Sequence, residues 1–162
     1  MSCLSFPERL ARLLALGALM LAGVVAQAAP PAVLPFGADT WAELTRTPRH
    51  PLAVVFSTTD CTHCPAVIES LGVAVRKSGS KARLVVVVMD GAGQEAALRG
   101  DRHYRPADAL YAFSGDAIAL RYRVNPDWRG LTPYVALVPV QDAPRFFSGA
   151  PPAGALRNFL RP

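Results

Sequence analysis

Cysteine is scarce in this chain of 162 residues: there are three, Cys3, Cys61 and Cys64. The last two are so close that a disulfide between them closes almost no loop, which excludes a scaffold-stapling role. Aromatic residues make up 8%, and no stretch concentrates lysine and arginine or interleaves them with aromatics. A formal net charge of +5 therefore gives nucleic acid binding no specific footing. Internal repeats are absent. What is present is the balance of a globular protein: 51% hydrophobic residues against 18% charged, enough to bury a core in one domain.

The first thirty residues have a different character. Arg9 and Arg12 precede an uncharged apolar run from Leu13 to Val25, and Ala26-Gln27-Ala28 supplies small residues where a signal peptidase reads them. This three-part pattern predicts a secretory signal peptide over residues 1–28. An uncleaved membrane anchor is the competing reading, but the run is short against the roughly 20 residues of a span. No cysteine follows the run at the cleavage site, so a lipid anchor has no support, and stable membrane insertion is not expected. Removal of the signal takes Cys3 with it and lowers the net charge by one. The mature chain then has two cysteines and a periplasmic destination, where a closely spaced pair points to reactivity or metal binding.

The mature chain reads as an Ala/Pro-rich leader and a short N-terminal helix over residues 29–49, then one domain over residues 50–162. The helix spans residues 38–45, with Asp39 placed to cap it. Leu52 to Phe56 and Leu84 to Val88 are continuous apolar runs, the pattern of strands buried on both faces. Between them Val67, Ile68, Leu71 and Val75 fall at helical spacing behind Pro65, which suits a first turn. Strand, helix and strand make a βαβ unit with a parallel sheet. Residues 91–128 read as an insertion, with a helix from Pro106 to Phe113. The alternation of Ile118, Leu120, Tyr122 and Val124 suits strand or helix. Tyr134 to Val138 and Arg145 to Phe147 are antiparallel strands joined by a turn, and a helix over residues 154–160 closes the domain.

Phe56, a polar turn and then Cys61-Thr62-His63-Cys64 opening a helix resemble the active-site segment of the thioredoxin-fold superfamily, in particular its exported, periplasmic thiol–disulfide oxidoreductases. Leu131-Thr132-Pro133-Tyr134, just before a strand, is similar to that family's second signature, a cis-proline facing the two cysteines. The resemblance covers roughly residues 50 to 160. It implies an α/β, thioredoxin-like fold with a central mixed sheet of about four strands flanked by helices and a helical insertion before the cis-proline. Two positions depart from the pattern. Asp60 stands where the family often has Trp, and Val55 where thioredoxins proper carry a buried acid.

The nucleophile in disulfide exchange is a thiolate, so the site must lower a cysteine pKa from about 8.5. Free N–H donors and the dipole at a helix start do this. Cys61 is accordingly expected to attack and Cys64 to resolve, with His63 stabilising the Cys61 thiolate by hydrogen bond or charge. The carboxylate of Asp60 opposes a thiolate, and its better-suited role is a helix cap. His50 and His103 have no such neighbours and read as surface residues. Thr132 and Pro133 would present a backbone edge on which a substrate segment pairs as an added strand. Trp128, Arg129 and Tyr134 flank that loop, with core packing an equal reading for Trp128. The implied partners are cysteine-containing exported proteins and a membrane or soluble redox partner, with no cofactor. Two alternatives stay open. The cysteines could hold Cu(I), as in a metallochaperone, with His63, His103 or Met89 completing the site; or the domain could be a non-catalytic binding module.

Overall fold

The computed structural model describes residues 32–161; the expected signal peptide at residues 1–28, with Cys3, lies outside them. The elements run β1 (Val33–Phe36), α1 (Thr40–Arg46), β2 (Leu52–Ser57), α2 (Cys64–Lys77), β3 (Arg83–Val88), α3 (Glu95–Gly100) and a 3-10 turn (Arg102–Tyr104). They continue as β4 (Ala109–Phe113), α4 (Ala117–Val124), β5 (Tyr134–Val138), β6 (Arg145–Ser148) and α5 (Ala153–Phe159). One mixed sheet carries them in the order β1-β4-β3-β2-β5-β6. β1, β4, β3 and β2 are mutually parallel, and β5 runs antiparallel to β2 and β6.

The sheet is covered on both faces, which explains the unbroken apolar runs. Ala53 and Val55 of β2, Leu84 and Val86 of β3, and Val135 and Leu137 of β5 pack on one face with Ile68 and Leu71 of α2. Val54 and Phe56, Val85 and Val87, and Tyr134 and Ala136 pack on the other with Trp41, Leu120 and Val124. Each such fully buried aliphatic side chain contributes about 1.5–3 kcal/mol relative to exposure, so β2 and β3 are the most strongly fixed segments.

The sheet has six strands rather than about four, and both additions fall where the sequence pointed elsewhere. The leader contributes β1, an edge strand pairing Val33 with Leu110 and Phe36 with Phe113; its Pro35 is tolerable because an edge strand has an unpaired side. The segment expected to be helical from Pro106 to Phe113 is instead a turn followed by β4. Leu110 and Ala112 join one core, Tyr111 and Phe113 the other, a two-residue period that Ala and Leu had disguised as helix. Asp108 locks the entry: its carboxylate accepts from the Leu84 N–H at 2.7 Å and its own N–H donates to the Leu84 carbonyl at 2.8 Å. The insertion is thus a strand and two helices, not helical throughout. The ambiguous stretch is α4, capped by Asp116, whose carboxylate accepts from the Ala119 N–H at 2.7 Å. Leu120 and Val124 are buried while Ile118 and Tyr122 face solvent. Asp39 occupies the N-cap position of α1 without a side-chain cap bond; Thr40 Oγ1 instead accepts from the Gly37 N–H at 3.0 Å.

Gly72, in the middle of α2, is required by close approach. A Cβ there would lie 2.7 Å from the Pro106 Cβ and 3.1 Å from Arg76 Nη1. Ala is favoured over Gly in a helix by about 1 kcal/mol, but overpacking against a rigid proline costs about 1–3 kcal/mol. Gly72→Ala is therefore expected to lower stability by about 1 kcal/mol in urea denaturation. Gly154→Ala in α5, where a Cβ would meet nothing nearer than an Arg157 nitrogen at 4.0 Å, should raise it by a few tenths of a kcal/mol. Stabilisation by Gly72→Ala would show that the Pro106 segment yields without cost.

Candidate active site

At its C-terminal end β2 stops at Ser57, a buried polar residue whose hydroxyl donates to the Thr58 carbonyl at 3.1 Å. The chain then turns: the Cys61 N–H donates to the Thr58 carbonyl and the Cys64 N–H to the Cys61 carbonyl, both at 3.3 Å. Helix α2 begins at Cys64 with Pro65 in its first turn. Cys61 therefore lies three residues before the helix rather than in it. Cys61 and Cys64 are joined as a disulfide. Their environments differ: Cys64 is 1% exposed within the core, whereas Cys61 is half-buried at its margin.

The carboxylate that organises this turn is not Asp60. His63 holds the N-cap position of α2 and makes no side-chain cap bond. Asp90, just beyond β3, accepts from the Thr59 N–H at 2.9 and 3.2 Å and from the Thr59 hydroxyl. Parallel pairing of Ser57 with Val88 brings it there. An acid directly after the apolar β3 run was the only sequence signal for it. Asp60, Thr62 and His63 are exposed.

On the other side of β2 the loop before β5 reaches the same end of the sheet, because Phe56 pairs with Tyr134. The Thr58 and Thr132 hydroxyls are 3.4 Å apart, the Thr132–Pro133 peptide bond is cis, and the Pro133 carbonyl accepts from the Gly149 N–H at 2.8 Å. Trp128 is core: it is buried, stacks on Tyr134 at 4.6 Å, and donates from Nε1 to the Leu131 carbonyl at 3.0 Å. It braces the loop from beneath. Burial pushes the Tyr134 hydroxyl pKa up.

His103 is exposed, as expected, but it lies beside the cysteine pair. A cavity of about 30 Å³, the volume of one water, lies against both cysteines and is lined by Ser57, Thr58, Asp101, His103 and Tyr104 among others. His103 Nδ1 lies 3.2 Å from Asp101 Oδ1, and the Asp101 carboxylate accepts from the His103 N–H at 2.9 Å. Burial raises the Tyr104 hydroxyl pKa, and the charge of Asp101 adds to it. No local spacing linked residues 101–104 to the cysteines; the 3-10 turn packed on α2 does so. His50 precedes β2, at the end opposite the cysteines. Met89 packs against the core on the sheet face opposite the one that holds Cys64. Among the described residues no three His, Cys, Asp or Glu side chains converge to hold a metal ion.

No protein-family model and no curated protein matches the sequence. Solved structures do match. A secreted Mycobacterium tuberculosis disulfide oxidoreductase is similar at 16% identity, over 74% of this chain and 84% of its own, with a TM-score of 0.49. An uncharacterized thioredoxin-like protein from Porphyromonas gingivalis is 14% identical over 68% of this chain and 76% of its own, with a TM-score of 0.52. The exposed lipoprotein thioredoxin of Streptococcus pneumoniae is 12% identical over 80% of this chain and 96% of its own, also at 0.52. The chain has the thioredoxin fold. Within that thioredoxin fold the cysteine pair sits where the first βαβ unit passes from strand to helix.

The Asp90 tether has a measurable consequence. Hydrogen bonds to a charged group contribute about 1.5–3 kcal/mol when shielded, and less at this exposed site. Asp90→Ala should lower stability by about 1 kcal/mol and speed amide hydrogen exchange at Thr59 about tenfold or less. Unchanged exchange at Thr59 would mean that the turn holds its shape without Asp90.

Proposed function

We propose that the protein is an exported thiol–disulfide oxidoreductase acting on cysteine-containing proteins through Cys61 and Cys64. The observation that carries this reading is the asymmetry of the pair: Cys61 is half-buried at the margin of the core, and Cys64 is sealed within it. A scaffold disulfide has no use for such a division, and it adds little stability across so short a loop.

The chemistry is two successive exchanges. In the reduced protein the Cys61 thiolate attacks one sulfur of a substrate disulfide. A mixed disulfide forms and the first substrate thiolate leaves. The Cys64 thiol then loses its proton and attacks the Cys61 sulfur, releasing the second substrate thiolate and closing the Cys61–Cys64 disulfide. Two electrons have passed to the substrate; the reverse sequence oxidises it, and a dithiol or disulfide partner resets the pair. The start of α2 and its N–H groups favour the thiolate. His63, between the sulfurs in sequence and exposed, adds a donor to Cys61. Thr132 and Pro133 offer the backbone edge for a substrate strand, supported by their loop lying beside Thr58.

Export rests on the signal pattern of residues 1–28 and gives the mature protein a periplasmic setting. The Cu(I) reading gains no specific observation.

Cys64→Ser, reduced and offered a disulfide-bonded protein such as insulin, should accumulate a mixed disulfide on Cys61, because the resolving step is lost. Peptide mapping by mass spectrometry reads the attachment. Cys61→Ser should trap far less. Preferential trapping through Cys64 would reverse the roles, and trapping by neither variant would remove the exchange reading.

A further inference from the structure

A groove of about 550 Å³ runs beside α2 and is lined by Pro65, Glu69, Arg76, Arg102, His103, Arg105 and Pro106. It shares Pro65 and His103 with the cavity against the two cysteines, so its near end lies next to the disulfide. Its walls carry three guanidinium groups and one carboxylate. Among the described residues the single ion pair joins His103 to Asp101, so Arg76, Arg102 and Arg105 are not held by any carboxylate. Arg76 bends back along its helix, with Nη1 3.1 Å from where a Gly72 Cβ would sit. Gly72 leaves the room for that bend and for Pro106, whose Cβ is nearer still at 2.7 Å.

We propose that this groove docks an acidic segment of the disulfide-bearing partner, aligning it while its disulfide meets Cys61. This rests on the oxidoreductase reading and adds the class of substrate. Guanidinium groups pair with carboxylates in a planar, two-pronged geometry, and a cleft whose charges sum to one sign speeds capture of the opposite one. The length fits a polypeptide. From Pro65 to Arg76 the helix rises about 16 Å, which about five extended residues span. The partner's acidic residues accordingly lie within about five positions of its reactive cysteine.

The test uses the mature protein, wild type and Arg102→Glu/Arg105→Glu, with three disulfide-bridged peptides sharing one core and carrying acidic, neutral or basic flanks. At low ionic strength the wild type should exchange with the acidic peptide about tenfold faster than with the neutral one, and high salt should shrink that ratio. In the double variant the acidic-to-neutral ratio should fall to one or below. Anisotropy of a fluorescent, cysteine-free acidic peptide gives a readout independent of exchange: the wild type should bind it, and the double variant at least fivefold more weakly. If exchange fails with every peptide while this binding persists, the oxidoreductase reading falls and the groove assignment stands. Equal acidic and neutral rates in the wild type, or an acidic preference kept by the double variant, would overturn the proposal. So would Arg102- and Arg105-dependent binding to phosphatidylglycerol vesicles without binding of the acidic peptide, which would make the groove a membrane contact.

Discussion

Everything at the site depends on the placement of β2 in the middle of the sheet, buried on both faces and paired on both edges. Parallel pairing with β3 carries Asp90 to Thr59 and fixes the turn that presents Cys61. Antiparallel pairing with β5 carries Thr132 to Thr58. The strand ends where its apolar run ends, so the polar turn, half-buried Cys61 and the helix start all emerge at one edge. A shift of one residue would turn Val55 and Phe56 to the wrong faces, and the burial of both makes that costly. The reactive geometry is inherited from core packing rather than built by its own interactions.

The same physics explains what could be read in advance. β2, β3 and β5 were legible because strands buried on both faces leave continuous apolar runs with abrupt polar ends. β1 was not, since an edge strand of four residues containing Pro35 has too little burial to leave a pattern. β4 was mistaken for helix because Ala109, Leu110 and Ala112 favour helices and Pro106 suits a first turn, whereas its strand character comes from β1 and β3 on either side. At the site, Cys61 and Cys64 announced themselves through local spacing, and Thr132–Pro133 through resemblance. Asp90 reaches Thr59, and Asp101 and His103 the cavity at the cysteines, only through long-range packing, which no local window contains. Asp60 drew the capping role that Asp90 plays for the turn, because adjacency in sequence is a weaker guide than the parallel register.

The site also differs in kind from one built around a buried acid. Val55 is wholly buried in the core that holds Cys64, so no carboxylate lies at that position beneath the pair. The polar groups near the sulfurs come instead from the side, by way of the 3-10 turn and its Asp101–His103 pair. That turn faces two ways, toward the water-sized cavity at the disulfide and toward the basic groove along α2. The proposed chemistry and the proposed partner docking thus share one short segment, anchored to the core through Tyr104.

The central claim is that Cys61 and Cys64 form a working redox couple and not a fixed crosslink. Equilibration of the mature protein with glutathione and dithiothreitol buffers, followed by thiol alkylation and mass analysis, measures its potential directly. With no carboxylate at position 55 to oppose a thiolate, and with the role proposed for His63 favouring one, the expected value lies between about −270 and −120 mV, the range from thioredoxin to a strongly oxidising disulfide catalyst. A pair that stays oxidised below about −300 mV, where structural disulfides lie, would contradict it.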